Sequence, residues 1–138
     1  MKTMGKMSND QLRELLKIGD VKGFNEYRQE NPDQEIDLQE ADLQEAELKG
    51  VNLKGVNLRD ANFEEANLED ANFFGANLFL ANFRGANLQG ANLGDTDARK
   101  ANFSWSILAK SDMQLMKICS NQKNAIILSL GILEDENE

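Results

Sequence analysis

The sequence contains no histidine, one cysteine and one proline among its 138 residues. The absence of histidine excludes imidazole catalysis and metal sites built on histidine. The single cysteine, Cys119, cannot form a disulfide within the chain, which is typical of a reducing compartment, so we expect a cytoplasmic protein. No apolar run approaches the roughly 18 residues of a membrane span, and residues 1–10 lack the apolar segment of a secretory signal. We therefore expect no membrane association.

Charge is also one-sided, with a formal net charge of −9. Direct binding to nucleic acid is not expected, because a protein that neutralises phosphates needs a basic surface. An acidic surface instead suits basic partners, or imitates a phosphate backbone. The acids concentrate early: residues 36–55 carry five acids and two bases, residues 56–75 five acids and one base, residues 76–95 one of each, and residues 96–115 two acids and three bases.

A five-residue repeat fills the region from Leu38 to Met113. We call the large residue of each repeat its centre. Most of the sixteen centres are Leu or Phe, the residue two positions earlier is small in nearly every repeat, and the residue just before is usually Asn or Asp. A helix requires a period of 3.6 and a strand a period of two, so a period of five indicates short extended pieces joined by turns. Glycines two positions after the centre predict a turn with positive φ: Gly50, Gly55, Gly75, Gly85 and Gly90.

The phase of the phenylalanines defines a second period, of twenty residues. When the repeats are written in rows of four, Phe63, Phe83 and Phe103 fall in one column. This pattern predicts an all-β solenoid with four repeats in each coil, in which like residues stack inside a filled interior. The predicted core comprises two columns of centres: Leu43, Phe63, Phe83, Phe103, Leu48, Leu68, Leu88 and Leu108.

The stretch ANLEDANFFGANL at residues 66–78 resembles the pentapeptide-repeat family, whose consensus is A(N/D)LXX. The resemblance covers about residues 36–115. It implies a right-handed quadrilateral β-helix of about four coils, roughly 19 Å tall at a strand spacing of about 4.8 Å. Because the family is defined by its architecture, the resemblance by itself assigns no biochemistry.

A helical cap is predicted in front of the repeats. Residues 1–7 form a predicted disordered tail, and residues 8–32 form a cap of helices that begins with a capping box of Ser8 and Gln11. An open solenoid end exposes both core and unpaired backbone, so such an end needs a cover.

A second cap is predicted behind the repeats. Residues 120–131 are expected to form a C-terminal capping helix, followed by an acidic, disordered end at residues 134–138. Ala98 is the small end of its column, and we expect the last helix to cover the gap above it through Ile126 or Leu130. Two covered ends favour a monomer over a dimer.

Four apolar side chains lie at positions that the repeat turns outward: Phe74, Phe79, Leu80 and Trp105. The first three fall around one corner of the predicted coil, whereas Trp105 lies one face further on, above Gly85. Aromatic residues are enriched where proteins contact partners, so these four form the candidate contact for a protein partner or a second copy. The other interpretation is that the rings lie flat on the coil, because scattered exposed apolar residues are common.

The sequence indicates no catalytic set, metal site or cofactor. The carboxylate pairs Glu64–Glu65 and Glu69–Asp70 come without a predicted cleft, a ligand spacing or a nucleophile. Cys119 is interpreted as a buried structural thiol beside the last cap. The ladder of asparagines is interpreted as side chains that bond nearby backbone.

The sequence therefore favours a non-enzymatic scaffold that presents preformed β-faces to an unidentified protein partner. The alternative starts from the acidic first two coils, since some pentapeptide-repeat proteins that protect DNA gyrase from quinolones resemble duplex DNA. On that hypothesis the chain is an acidic DNA-mimic modulator of DNA gyrase or another topoisomerase. A solvated surface that keeps the rod soluble also accounts for the acids. An enzyme with an unrecognised carboxylate site is a third hypothesis.

Overall fold

The computed structural model describes residues 5–123 and residue 126. The chain begins with two helices, α1 (Asn9–Lys17) and α2 (Val21–Glu30), and continues through the repeats to a short 3-10 helix, Ser120–Gln122. Within the described part of the chain, the repeats pair through isolated β-bridges rather than through long strands. Each repeat contributes one bridged residue and a two-residue turn.

Every bridge is parallel and joins two residues that are twenty positions apart. The first bridge pairs Asp37 with Asn57, and the last pairs Asp97 with Lys117. The bridged residues are those just before each centre, and the N–H of each centre from Leu38 to Ala98 donates to a carbonyl of the coil above at 2.7–2.9 Å. The chain therefore advances by one coil every twenty residues. The pairing runs one repeat beyond the predicted end of the repeats at residue 115.

The corners of each coil are tight turns with a left-handed residue. The small residue of the next repeat donates its N–H to the carbonyl of the centre, as from Ala81 to Leu78 at 3.0 Å. The second residue after the centre has positive φ, as the glycines at this position predict, and the combination is that of a type II turn. Side chains other than glycine also take this conformation, among them Leu80 with φ of 63° and Trp105 with φ of 62°.

Stacked columns of centres fill the interior. The rings of Phe63 and Phe83 stack with centroids 5.0 Å apart and planes at 5°, and those of Phe83 and Phe103 with centroids 5.1 Å apart and planes at 4°. Phe73, in the column half a coil away, meets Phe63 and Phe83 edge to face at 5.7 and 5.6 Å. All eight predicted core side chains are buried. Phe63, Phe83 and Phe103 thus lie over one another through three successive coils.

The helices α1 and α2 cover the lower end of the solenoid. Their apolar sides join the core, and the side chains with no exposed surface are Leu12, Leu16, Phe24 and Tyr27. An amphipathic pair of short helices that is marginal alone is stabilised by this packing. The two helices therefore cover the apolar residues of the first coil.

The start of α1 has the predicted capping box, in which Ser8 Oγ accepts from the Gln11 N–H at 3.1 Å. Met7, placed by the sequence at the end of a disordered tail, instead belongs to the cap. Its N–H donates to the Tyr27 hydroxyl at 2.8 Å. The physical reason is that the hydroxyl of a buried tyrosine requires hydrogen-bond partners. Residues 1–4 lie outside the described part of the chain.

Asparagine side chains of the two helices accept hydrogen bonds from backbone N–H groups of the first coil, as the carbonyls of a lower coil would. Inside the solenoid, the N–H of each bridged residue donates to the coil below. In the first coil, the Asp37 N–H donates instead to Asn9 Oδ1 at 3.2 Å, and the Asn52 N–H donates to Asn25 Oδ1 at 2.8 Å. The cap therefore satisfies backbone donors that the edge of a sheet otherwise leaves unpaired.

Two arginines satisfy carbonyls on the same edge. Arg13 Nη2 donates to the Gln39 carbonyl at 3.1 Å, and Arg28 Nη2 donates to the Lys54 carbonyl at 2.6 Å. In later coils the equivalent carbonyls accept from the coil below. Partial burial lowers the pKa of Arg28 from its ordinary value, but an arginine stays charged at neutral pH. These bonds are therefore charge-assisted.

Gln122 has the corresponding role at the upper end. Its Nε2 donates to the carbonyls of Ala98 and Ala101 at 2.8 and 2.9 Å. Its Oε1 accepts from the Lys100 N–H at 3.0 Å. One side-chain amide thus takes the place of a backbone amide of a further coil.

The predicted C-terminal helix is described only at its start. Ser120–Gln122 form a 3-10 helix. Ile126, one of the two side chains expected to cover Ala98, is buried in the core cluster. Leu130, most of the predicted segment 120–131 and the acidic end lie outside the described residues.

Phe83→Ala should lower the free energy of unfolding by about 3–5 kcal/mol, because the cavity opens between two stacked rings and an edge-to-face neighbour. Urea unfolding followed by circular dichroism measures the change. Phe74→Ala is the matched control, since the same truncation at a side chain that is 40% exposed removes less packing. A similar loss in both variants would contradict the stacking.

Asn25→Ala should lower the free energy of unfolding by about 1–3 kcal/mol, because it leaves the Asn52 N–H and the Gly50 carbonyl without these partners. Gln29→Ala, a change at an exposed position of the same helix, should be nearly neutral. Thermal and urea unfolding measure both variants. Equal stability would show that α2 lies against the solenoid without completing its hydrogen bonds.

Candidate protein-contact surface

The structure separates the four predicted contact residues. Phe79 and Leu80 follow one another on one side of the coil, and Phe74 lies on the preceding side. Trp105 lies higher and on another side, and it is 81% exposed, against 40% for Phe74 and 38% for Leu80. Within residues 5–123 and 126, no ring contact joins Trp105 to Phe74 or Phe79. The candidate surface is therefore built around Phe74, Phe79 and Leu80.

We call the face formed by residues 57–60, 77–80 and 97–100 the Phe79 wall. Parallel bridges join its three segments. Each segment begins with an Asn or Asp whose Oδ1 accepts from the backbone N–H two residues later, so the asparagine ladder bonds nearby backbone, as predicted from the sequence. Since these side chains hold the turns, the outward chemistry of the wall comes from the two residues after each centre.

Three cations surround the Phe79 ring. The Cζ atoms of Arg59 and Arg99 lie 4.8 and 5.7 Å from the ring centroid, and Lys100 Nζ lies 5.8 Å from it. Arg59 and Arg99 stand twenty residues before and after Phe79, so the bridge register places one below the ring and the other above it. A cation within about 6 Å of an aromatic centroid is attracted by the π-face of the ring. The Phe79 ring is thus held between charged groups.

Asp97 orients Arg99. The Nε and Nη2 groups of Arg99 donate to the two carboxylate oxygens of Asp97, each at 2.8 Å. These side-chain hydrogen bonds hold the pKa of Asp97 below its ordinary value, and they raise the pKa of Arg99. Arg59 has a looser partner, since its Nε lies 3.5 Å from Asp60 Oδ2. Lys100 forms no ion pair with any other described residue.

Phe74 packs against Gly94, which lies twenty residues later in the chain. A Cβ atom placed on Gly94 would lie 3.2 and 3.4 Å from two carbons of the Phe74 ring. Lys54, twenty residues earlier, places its Nζ 6.0 Å from the ring centroid. The ring therefore lies along the coil, as the second interpretation of the sequence has it, and still exposes 40% of the residue.

Leu80 combines exposure with an unfavourable backbone conformation. Its φ of 63° lies in the left-handed region, and 38% of the residue is exposed. That region costs a residue with a Cβ about 1–2 kcal/mol, and glycine occupies the same turn position in the adjacent repeats, at Gly75 and Gly85. A leucine this exposed recovers only part of its hydrophobic stabilisation. The positive φ itself belongs to the architecture of the repeats, because eleven described residues other than glycine adopt it at this turn position.

The five-residue pattern alone did not single out Arg59, Arg99 or Gly94. Each stands twenty residues from Phe79 or Phe74, so the column rule that predicts the phenylalanine stack also locates these neighbours. If the same twenty-residue spacing is applied to the outward positions, it predicts that Arg59 and Arg99 lie next to Phe79.

Ion pairs between coils partly neutralise the acidic first two coils. Arg84 Nη1 lies 3.3 Å from Glu64 Oε2, and Lys49 Nζ lies 3.7 Å from Glu69 Oε2. Among the residues that the structure describes, no group of three or more Cys, Asp or Glu could hold a metal ion. Neither α1 nor α2 has the length and apolar character to cross a bilayer.

Cys119, expected to be a buried thiol, is only partly buried. It follows Ile118, which packs against the core, and so takes the first outward position of its repeat. Its N–H donates to Gln122 Oε1. The position of Cys119 is therefore set by its backbone hydrogen bond to Gln122 and not by burial of its sulfur.

The family model for Pentapeptide repeats (8 copies) matches residues 36–75 and 76–114, which together are more than half of the chain. The chain therefore belongs to the pentapeptide-repeat family. No curated protein matches it.

Several solved structures are similar to this chain. A pentapeptide repeat protein of Nostoc PCC 7120, alr5209, matches with a TM-score of 0.64 at 24% identity, over 91% of this chain and 96% of its own. A pentapeptide repeat protein of the Arabidopsis thaliana thylakoid lumen matches with a TM-score of 0.37 at 24% identity, over 68% and 69%. QnrB1, a plasmid-mediated fluoroquinolone resistance protein, matches with a TM-score of 0.44 at 24% identity, over 73% and 59%. The first likeness shows the fold alone.

Leu80→Gly should change the free energy of unfolding by no more than about 1 kcal/mol. Glycine adopts the left-handed conformation without steric cost, which stabilises the fold, whereas its greater freedom in the unfolded chain and the loss of the leucine contacts destabilise it. Leu78→Ala is the contrast, since it truncates a fully buried centre of the same repeat and should cost about 2–5 kcal/mol. Urea unfolding compares them. A loss at Leu80 as large as that at Leu78 would mean that Leu80 serves the fold.

Proposed function

We propose that this protein is a non-enzymatic scaffold that binds another protein through the Phe79 wall and the adjoining Phe74. The observation that carries the proposal is the Phe79 ring, which lies among three cations beside the exposed apolar side chain of Leu80. Aromatic and arginine side chains, both present here, are enriched at protein contacts.

The surface suits such binding because it is preformed. Parallel bridges hold all three segments of the Phe79 wall, so a partner would lose little conformational entropy in ordering it. In this proposal the chain is the right-handed quadrilateral β-helix of its family, with α1, α2 and Gln122 as caps. The protein acts as a monomer in the cytoplasm, a proposal that the helices at the lower end, Gln122 at the upper end and the single cysteine support.

Modulation of a topoisomerase by DNA mimicry is the alternative. Duplex DNA carries closely and evenly spaced negative charges. Here Glu64 and Glu69 are each paired with a cation of an adjacent coil, and the Phe79 wall is lined by cations, so the acidic surface is interrupted. A DNA gyrase supercoiling assay tests this alternative: salt-sensitive inhibition at micromolar protein would favour it over the scaffold.

Phe79→Asp and Leu80→Asp should each abolish capture of the partner from a lysate of the native cells, because a contact that covers these positions would have to desolvate a carboxylate. Affinity capture followed by mass spectrometry measures retention. Gln89→Asp is the matched control, since it adds the same charge ten residues, or half a coil, beyond Phe79. A partner retained equally by all variants would rule out the Phe79 wall.

A further inference from the structure

We propose that the Phe79 wall recognises an acidic protein segment, in which an apolar side chain is flanked by Asp or Glu. This assignment rests on the proposed function, because it names the chemistry of the partner for the same surface. It begins from a contrast of charge. The chain as a whole has a net charge of −9, yet three cations surround the partly buried aromatic ring of this wall.

The upper half of the wall is locally positive. Arg99 and Asp97 form a neutral pair. Lys117, which follows Asp97 in the same ladder of bridges, also attracts its carboxylate. Neither Lys100 nor Lys117 forms an ion pair within the described part of the chain. The wall itself carries three cations, Arg59, Arg99 and Lys100, against two acids, Asp60 and Asp97, and Lys117 adds a further cation above Asp97. This excess of positive charge favours a partner with negative charge.

Arg99 retains donors for such a partner. A guanidinium has five N–H groups, and the hydrogen bonds to Asp97 use only Nε and Nη2. Its side chain is 51% exposed. Asp97 and the Phe79 ring hold the guanidinium from two sides, so its remaining N–H groups have a preferred direction before anything binds. Paired donors of this kind match the two oxygens of a carboxylate.

The apolar half of the surface limits the partner further. A ligand that carries only charges would leave Leu80 and the exposed part of Phe79 in water. A purely apolar ligand would cover cations without compensating them, which is unfavourable. An apolar side chain between carboxylates satisfies both parts of the surface. Nucleic acid is disfavoured because the acids of the first two coils repel it at longer range.

Two short fluorescein-labelled peptides test the sign of the charge. Both contain a central Leu-Phe pair, flanked by Glu in one and by Lys in the other. Fluorescence anisotropy with the full-length protein should show the acidic peptide binding at least about tenfold more tightly, with the difference reduced by salt. Equal binding of the two peptides, or tighter binding of the basic one, would overturn the assignment.

Charge reversal on the wall tests the location. Arg59→Glu combined with Arg99→Glu should weaken binding of the acidic peptide about tenfold or more. Arg84→Glu makes the same change outside the wall and should leave the affinity unchanged. Because Arg99→Glu adds a carboxylate near Asp97, the milder pair Arg59→Gln with Arg99→Gln is measured as well, with circular dichroism to establish folding. Undiminished binding by both folded double variants would overturn the location.

Failure of this assignment and failure of the proposed function give different results. If Phe79→Asp abolishes partner capture while reversal of Arg59 and Arg99 changes neither capture nor peptide binding, the wall is a contact but not for an acidic segment. If a DNA duplex displaces the acidic peptide, or if sedimentation shows a dimer that Phe79→Asp disrupts, the occupant is nucleic acid or a second copy. If Phe79→Asp leaves partner capture intact, the proposed function itself fails.

Discussion

Parallel backbone pairing at a spacing of twenty residues is the constraint on which the rest of this protein depends. It sets each centre over the centre of the coil below, so each coil is stabilised by the coils or helices directly next to it as well as by its own packing. Burial of one Leu or Phe contributes about 1.5–3 kcal/mol, and the repetition of that term replaces the large interior of a globular domain. The same pairing that aligns Phe63, Phe83 and Phe103 inside aligns Arg59, Phe79 and Arg99 outside.

The interior and the corners were the most predictable parts of the fold. The phase of Phe63 and Phe83 predicts stacked rings because like positions of successive coils face one another, and Gly75 predicts a left-handed turn because of its freedom at positive φ. The outer face was less predictable. Its positions share no residue type, and the contact of Arg99 with Phe79 depends on the rotamer of a long side chain as well as on register. Met7 was missed because its partner, Tyr27, lies in a different segment.

At both ends of the solenoid, side chains form hydrogen bonds with backbone groups that have no neighbouring coil. An edge of paired backbone presents donors and acceptors that invite another strand. At the lower end Asn25 and Arg28 meet such groups, and at the upper end Gln122 does. A side-chain amide supplies both a donor and an acceptor, as a peptide group does, and a guanidinium supplies donors alone. Neither extends the solenoid. Apolar packing alone would cover the core but would leave these backbone groups unsatisfied.

The ladder of Arg59, Phe79 and Arg99 bears on how such a chain can change length over evolution. Gain of twenty residues between coils would lengthen the rod and return each side to its own column. An insertion of five residues would rotate the coils above it by one side of the four-sided coil. Every centre would still meet an apolar neighbour, but Arg99 would leave Phe79 and face another direction. The core thus tolerates a slip that the outer surface does not, so duplication by whole coils is the route that preserves a binding face.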